Sequence, residues 1–461
     1  MKIMHVACGG AGCRTRATAC TRLTACCALM LAGASPSLPE DKLPLPEDTY
    51  FEEYGKLYDH IGMLQDDERM NAYHSAIQLN ADAHFKGKVI LDVGAGTGIL
   101  SIWAAQAGAA RVYAVEATPV AQHAKALVKA HGLSGTVTVL HGKMEELELP
   151  EKVDVILSEW MGYFLLRESM VQSVLLARDR WLKPSGVLYP SHCDILIASL
   201  HEEGYAEARA AELAETMASW DALTAGMLSK YSLNFDALRP AYEHENREYS
   251  YTDAWQGAIG AGAVVGTPQT LLSVDMRTTT MEELFGWHRT VTLDLPHTLP
   301  AGGVAAPGSV GDGVGMLCGW FESRFCADEG GRGGDTGDGS GDAGSDGNGA
   351  SGRESRSCVE LSTSPLAPYT HWAHTTFLLD PPLTAPFAVS IGLTQSAKSH
   401  HDLNVTIAYP SSEGAQVSAH HAITADFRSG PRTPADGLGD EQGGIGSFYD
   451  DYGDAAAYDD E

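Results

Sequence analysis

A glycine-rich turn that joins an apolar run to a helical pattern constrains the fold of this 461-residue chain more than any other feature. Residues 89–93 form the apolar run, the turn Gly94-Ala-Gly-Thr-Gly98 follows at once, and residues 99–107 have a helical pattern. Glycines let the backbone approach a ligand closely and leave that ligand near a helix N-terminus. Alone, such a turn could be purely structural. Between a strand and a helix it predicts a site for a nucleoside-containing ligand.

Strand and helix patterns alternate through the next hundred residues. Apolar runs and helical patterns follow each other at residues 112–116, 121–131, 137–141, 153–158 and 170–182. This alternation indicates βαβ units around a parallel sheet. We therefore predict an α/β, Rossmann-like domain over residues 87–190, preceded by helices over residues 41–86.

Beyond residue 190 the alternation stops. Residues 201–230 are rich in Ala and Glu and predict one or two helices, and short β-like runs follow as far as Tyr409. This order predicts an antiparallel β-barrel domain over residues 191–428 that carries a helical insertion.

Three stretches have the composition of disordered segments. Residues 327–357 and 429–461 are rich in Gly and Asp, and we expect a disordered acidic loop and a disordered acidic tail. Residues 1–39 contain basic residues but no Asp or Glu, so the leader of residues 1–40 is a disordered extension, an organelle transit peptide or a secretory signal. We expect a cytoplasmic or nuclear protein, with organelle targeting as the alternative.

The net charge of −29 limits the classes of macromolecule that the protein is expected to bind. It argues against direct binding of nucleic acid, which needs clustered Lys and Arg, and it favours a basic partner. No run of about 18 apolar residues occurs, so no membrane span is expected. The nine cysteines form neither a paired metal-site motif nor a disulfide framework, and we expect no metal and a reducing compartment.

The acidic residues around the glycine turn indicate which nucleoside ligand it takes. Glu116 lies 20 residues after Gly96 and ends the second predicted strand, where a carboxylate can accept hydrogen bonds from ribose hydroxyls. The turn has the spacing GxGxG, with Asp92 just before it, and not the GxGxxG of dinucleotide-binding folds. This pattern favours S-adenosylmethionine over NAD.

Two carboxylates follow the fourth predicted strand. Glu159 comes directly after it, and Glu168 is nine residues further on, beyond a turn at Gly162 that could fold it back opposite Glu159. Two adjacent anions repel each other unless a cation lies between them, and a guanidinium can donate paired hydrogen bonds to both. The alternative is a pair of solvated surface acids. The Asn/Asp-Pro-Pro-Tyr motif of enzymes that methylate nucleobase amino groups does not occur here.

These motifs, in their order and spacing, resemble those of the protein arginine methyltransferases from about Tyr50 to Tyr409. The matching segments are Tyr50-Phe-Glu-Glu-Tyr54, residues 89–98, Glu116, residues 158–170 and Tyr369-Thr-His-Trp372. Residues 114–118 and 162–168 look closest to the plant and algal type I branch. The resemblance implies methylation of arginines in Arg/Gly-rich or histone-like basic proteins, giving mono- and asymmetric dimethylarginine.

The resemblance also assigns residues to the cofactor. His60 and Arg69 would lie on N-terminal helices that close over S-adenosylmethionine, with Arg69 paired to its methionine carboxylate. The remaining cofactor residues would be Gly94 and Gly96 along the methionine moiety, Glu116 at the ribose, and Met144 and Glu145 at the adenine.

For the acceptor arginine, the resemblance assigns Glu159 and Glu168 to the guanidinium and has His371 support their loop. The substrate pocket would be lined by Tyr54, Met63, Tyr163, Met170 and Trp372. The insertion at about residues 201–240 would be an arm that forms a homodimer. Two alternatives stay open: a catalytically weak scaffold of the same fold, and an enzyme for a small guanidino or amine metabolite.

Overall fold

The fold is given by a computed structural model that describes the chain in nine stretches within one compact unit, Asp48–Glu461. The described residues are 50–51, 54–200, 205–252, 254–293, 314–326, 358–383, 387–410, 415–424 and 428–429. The leader of residues 1–40, the acidic loop of residues 327–357 and all but the first residue of the tail of residues 429–461 lie outside them. The predictions for those stretches therefore stay predictions.

A five-stranded parallel sheet forms the first domain. Its strands are β1 (Val89–Val93), β2 (Arg111–Glu116), β3 (Val137–His141), β4 (Val153–Leu157) and β5 (Leu182–Tyr189). They lie in the order β3-β2-β1-β4-β5, and every pair is parallel. The strand order reverses between β1 and β4, and in open α/β sheets such a reversal opens a crevice at the carboxyl ends of the strands. The glycine turn and Glu159 both follow strands that end at this crevice.

Helices cover the sheet and extend into the second domain. They are α1 (Ile61–Gln65), α2 (Asp67–Leu79), α3 (Ile99–Gln106), α4 (Ala121–Ala130), α5 (Val171–Trp181), α6 (Tyr205–Tyr231), α7 (Arg239–Thr252) and α8 (Met281–Leu284). All five residues of β1 are buried, as expected for a central strand covered on both faces. Short 3-10 turns lie at Leu57–His60, Asp236–Leu238 and Ala261–Ala263, and a π turn lies at Ala81–Phe85. Within the described residues, no helix is long and apolar enough to cross a membrane.

Two further sheets form the second domain. Their strands are β6 (His192–Leu200), β7 (Trp255–Gly257), β8 (Val264–Asp275), β9 (Trp287–Leu293), β10 (Val314–Cys326), β11 (Cys358–Ser362), β12 (His374–Leu383), β13 (Phe387–Gln395), β14 (Leu403–Pro410), β15 (Gln416–Ile423) and β16 (Arg428–Ser429). One sheet has the order β16-β7-β12-β10-β6-β8, with β11 also on β10, and the other has the order β15-β14-β13-β9. All pairs are antiparallel except β16 with β7.

The predicted fold class is confirmed, and strands β1 to β4 begin and end within one residue of their predicted limits. Strand β5 begins at Leu182, the last residue of the predicted helical pattern. The sequence analysis missed α7, α8, β6, β7, β15 and β16. Helix α7 and strand β15 consist mostly of polar and small residues, so they lack the apolar periodicity that marks an element in a sequence. The structure also pairs Cys326 with Cys358 in a disulfide between neighbouring strands, although the sequence indicated no disulfide framework.

Candidate active site

The glycine turn after β1 adopts a backbone that side chains disfavour. Gly94, Gly96 and Gly98 have φ values of 71°, 53° and 83°. A Cβ atom on Gly94 would overlap the side chain of Met170, and one on Gly96 would lie 3.2 Å from His60 Cε1. Glycine is therefore needed at Gly94 and Gly96 for two reasons: it adopts the left-handed backbone without strain, and it leaves room for these two side chains.

Glu116 is fixed beside this turn. Its Oε2 accepts a hydrogen bond from the Gly96 N–H at 2.8 Å, and its Oε1 accepts one from the Thr118 N–H at 2.7 Å. Each carboxylate oxygen has two lone pairs, so each can accept a second hydrogen bond. Glu116 is therefore held at the end of β2 with acceptor capacity left for a ribose hydroxyl.

Asp92 lies fully buried in β1, just before the turn. Its Oδ2 accepts a hydrogen bond from the Ser101 hydroxyl at 2.6 Å, whereas its Oδ1 is buried without a partner among the described residues. Burial raises the pKa of Asp92 to about 7. One oxygen of this buried carboxyl thus accepts no hydrogen bond among the described residues.

The residues before α2 lie across the end of β2. The Tyr54 carbonyl accepts hydrogen bonds from His60 Nε2 at 3.1 Å and from the Thr118 hydroxyl at 3.2 Å. The Tyr54 hydroxyl donates to Glu168 Oε2 at 2.9 Å. One residue therefore connects the Glu116 side of the crevice with the second of the two predicted carboxylates.

Glu159 follows β4 and is paired with an arginine. Arg69 on α2 donates from Nε at 3.1 Å and from its NH2 nitrogen at 2.8 Å, both to Glu159 Oε2. Both side chains are nearly buried, and Glu159 Oε1 has no partner among the described residues. The resemblance placed Arg69 on the cofactor carboxylate, and the structure shows its guanidinium on Glu159.

Glu168 is fixed from both sides of its carboxylate. Besides the Tyr54 hydroxyl on Oε2, the NH1 nitrogen of Arg167 donates to Oε1 at 3.1 Å. The loop of residues 158–170, which we call the double-Glu loop, turns back at Gly162, where a Cβ atom would overlap the Arg167 carbonyl. Burial and the charges of Glu168 and Glu159 raise the pKa of Tyr54 well above its usual value. Tyr54 therefore lies near both carboxylates.

His371 and Trp372 support this loop from the second domain. The buried Trp372 donates from Nε1 to the Met161 carbonyl at 2.8 Å, so the loop is held in its middle. His371 donates from Nδ1 to Asp66 Oδ2 at 2.6 Å. Burial alone would raise the pKa of Asp66, but hydrogen bonds from His371 and Arg69 hold it below its ordinary value.

The other predicted residues take varied positions. Met144 is buried after β3, whereas Glu145 is exposed and accepts a hydrogen bond from the Ser173 hydroxyl at 2.6 Å. Met63 and Tyr163 are half-buried, and the Met63 carbonyl accepts a hydrogen bond from Arg69 at 2.8 Å.

Sequence reasoning missed two residues of the site, Asp66 and Arg167. An Asp directly before a helical pattern is a helix-start signal that could have indicated Asp66.

Comparison with known proteins identifies the family. A family model described as a methyltransferase domain matches residues 90–186. Protein arginine N-methyltransferase PRMT10 of Oryza sativa subsp. japonica is 39% identical over 395 residues, which cover 84% of this chain and 94% of that protein. This chain is a protein arginine N-methyltransferase.

Solved structures of the family have the same fold as this methyltransferase. The crystal structure of Arabidopsis thaliana protein arginine methyltransferase 10, described as uniquely open, has a TM-score of 0.66 and 33% identity. It matches 81% of this chain and all of that one. A Trypanosoma brucei PRMT1 enzyme–prozyme complex with AdoHcy has a TM-score of 0.59 and 26% identity, matching 81% of this chain and all of that one. The family resemblance in the motifs is thereby confirmed.

Proposed function

We propose that this methyltransferase uses S-adenosylmethionine to methylate protein arginines to mono- and asymmetric dimethylarginine, with Glu159 and Glu168 as a clamp on the guanidinium. The observation that carries the proposal is that both carboxylates are nearly buried on the one loop that follows β4, each hydrogen-bonded by its own arginine, with Tyr54 close to both. Arg69 and Arg167 each pair with one of the carboxylates, yet Glu159 Oε1 is still buried without a hydrogen-bond partner among the described residues. A guanidinium supplies planar donors that can hydrogen-bond to both carboxylates at once.

The crevice fits S-adenosylmethionine on its own chemistry. The left-handed glycines allow close approach, Glu116 has acceptor capacity left, and Asp92 Oδ1 is a buried acceptor without a partner among the described residues. The AdoHcy complex of the Trypanosoma relative supports the same cofactor here. Gly94, Gly96, Glu116 and His60 would hold it, and when bound it supplies an electrophilic methyl group.

The protein's part in the reaction is to orient the acceptor nitrogen. Glu159 Oε1 can accept from one guanidinium nitrogen, and Glu168, fixed by Tyr54 and Arg167, can accept from another. Holding the positive charge on these two nitrogens leaves the third more nucleophilic, and fixing it in line with the methyl group lowers the barrier. The surplus proton leaves the product nitrogen after the new bond forms, so a strong base is not required.

Hydrogen bonds from three sides hold this geometry in place. The Tyr73 hydroxyl on α2 donates to the Ser158 carbonyl at 2.9 Å, at the start of the double-Glu loop, and Trp372 fixes its middle. The pairing of His371 with Asp66 ties the Trp372 segment to the start of α2, which also carries Arg69. We therefore assign His371 to positioning the clamp.

The product and the acceptor are tested together by amino-acid analysis. An Arg/Gly-rich peptide is incubated with the full chain and labelled S-adenosylmethionine, with a peptide in which Lys replaces every Arg as control. We expect asymmetric dimethylarginine in the first peptide and no label in the second. Symmetric product would overturn the type I assignment. Binding of cofactor without transfer would support the scaffold alternative, and transfer only to a small guanidino compound would support the metabolite alternative.

We also propose that the enzyme works as a homodimer through the arm of helix α6 and the residues that follow it. The arm exposes large apolar side chains, of which Leu223 is 57% and Leu228 is 54% exposed. The first domain has an apolar groove between the residues before α2 and helices α3 and α4, lined among others by Leu57, Ile99 and Leu127. Covering the groove with the arm of a second copy removes both apolar surfaces from water.

A further inference from the structure

A turn of the second domain is bonded directly to Glu168. Residues 396–402 connect β13 to β14, and we call them the β13–β14 turn. The Glu168 N–H donates to the His401 carbonyl at 2.7 Å. In return, His401 Nδ1–H donates to the Glu168 carbonyl at 2.6 Å. The two main-chain polar groups of Glu168 are thus both satisfied by one residue, 233 positions away in the sequence.

These bonds act where the double-Glu loop is strained. Glu168 has a φ of 82° and Ser169 a φ of 59°, and this left-handed backbone is unfavourable for any residue other than glycine. The β13–β14 turn also holds Ser169, whose hydroxyl donates to the His400 carbonyl at 2.5 Å. Gln395, at the end of β13, donates to the Ser169 hydroxyl at 3.0 Å. The backbone that orients the Glu168 carboxylate is therefore maintained by contacts from the other domain.

The same turn reaches the side chains around Glu168. Arg167, which donates to the Glu168 carboxylate, lies with its Nε 3.9 Å from Asp402 Oδ1. The His401 ring stacks on Tyr50 with centroids 4.3 Å apart and an angle of 15° between the planes. Tyr50 belongs to the same segment as Tyr54, the other donor to Glu168. His401 thus lies between the strained backbone and the segment that covers it.

We propose that His401 is a positioning residue for methyl transfer, which fixes the acceptor side of the site by holding Glu168 in its left-handed backbone. The proposal rests on the proposed clamp, since His401 acts through Glu168. It assigns the β13–β14 turn a role in binding the acceptor arginine, separate from the residues that hold the cofactor.

Removing the imidazole donor tests this role. His401→Ala should lower kcat/KM for an Arg/Gly-rich peptide about tenfold, which corresponds to one lost hydrogen bond to a buried carbonyl. The Kd for S-adenosylmethionine should stay within about twofold of the wild-type value. His401→Asn should recover most of the loss, because the Asn amide nitrogen can take the place of Nδ1. Lys398→Ala, an exposed side chain in the same turn, is the matched control and should behave as wild type. Equal loss of cofactor affinity and peptide activity would indicate general disruption and overturn the proposal.

A double-mutant cycle separates the role of His401 from the clamp itself. Peptide Kd is measured with S-adenosylhomocysteine present for the wild type, His401→Ala, Glu168→Gln and the double variant. If His401 acts through Glu168, His401→Ala weakens binding about tenfold in the wild type but less than about twofold in Glu168→Gln. An undiminished effect in Glu168→Gln overturns the role of His401 alone. Unchanged peptide affinity in Glu168→Gln overturns the clamp, and this proposal with it.

Discussion

Asp66 and His371 are joined twice across 305 positions of sequence. Asp66 Oδ2 accepts a hydrogen bond from the His371 main-chain N–H at 2.9 Å and one from His371 Nδ1 at 2.6 Å. The other oxygen, Oδ1, accepts from the Arg69 N–H at 3.0 Å and so caps the N-terminus of α2. A single buried carboxylate therefore fixes both the start of the helix that carries Arg69 and the loop that supports the clamp.

Substitutions at Asp66 should separate these two tasks. Asp66→Asn retains a good helix cap but loses the charge and one of two acceptors, so we expect a loss of about 1 kcal/mol in the free energy of unfolding. Asp66→Ala removes the cap and leaves the His371 donors without their partner, and should cost about 2–3 kcal/mol. Denaturant unfolding measures both. Equal stability of the Ala and Asn variants would contradict the double role.

The oligomeric state tests the arm. Leu223→Glu with Leu228→Glu places charges on the exposed face of α6, and Leu127→Glu places one in the groove. Each change should shift the mass from dimer towards monomer, because a buried unpaired carboxylate in an apolar contact is costly. Light scattering during gel filtration gives the mass. Leu366→Glu, at an exposed leucine outside both surfaces, is the control and should remain dimeric. A dimer that survives both sets of changes would rule out this interface.

His421 should make stability depend on pH. The side chain is buried in β15 beside Phe377, and neither ring nitrogen has a hydrogen-bond partner among the described residues. Burial, together with the charge of His420, lowers the pKa of His421 from 6.5 to about 4. The unfolded chain thus binds the proton more strongly. Above pH 6.5 the histidine is neutral in both states and the free energy of unfolding keeps its full value. As the pH falls from 6.5 towards 4, His421 lowers the free energy of unfolding by up to about 3 kcal/mol.

The matched variants are His421→Leu and His131→Leu. The first removes the buried imidazole, so the free energy of unfolding should change less between pH 6.5 and 4. The second removes an exposed histidine and should keep the wild-type dependence. Urea unfolding at several pH values measures the slopes. An unchanged slope in His421→Leu would show that other groups cause the acid sensitivity.

The main elements of the first domain could be predicted because their signals are local. The apolar run before Gly94 and the helical pattern after Gly98 are properties of neighbouring residues, and the structure reproduces them almost residue for residue. The same is true of Glu116 and Glu159: Glu116 ends β2 and Glu159 follows β4, and the ends of these strands meet at one edge of the sheet.

The partners of the site residues could not be predicted in this way. The contacts of Asp66 with His371, of Arg69 with Glu159 and of Glu168 with His401 join residues 90 to 305 positions apart, and no local pattern encodes them. The left-handed backbone at Glu168 could not be predicted either, because the local sequence Arg-Glu-Ser contains no residue type that favours this conformation. Such features depend on how elements far apart in the sequence pack against each other. The sequence therefore predicts which residues form the site better than it predicts what holds them there.

The clamp is tested most directly by comparing methyl transfer with cofactor binding in Glu159→Gln and Glu168→Gln. Each change keeps the shape of the side chain and removes its charge, and Glu282→Gln, at an exposed acid, is the control. We predict that single-turnover transfer to an Arg/Gly-rich peptide falls roughly 100-fold or more in both variants, while the Kd for S-adenosylmethionine, measured by calorimetry, stays within about threefold. Transfer by either variant at close to the wild-type rate would contradict the role of these carboxylates as a clamp on the guanidinium.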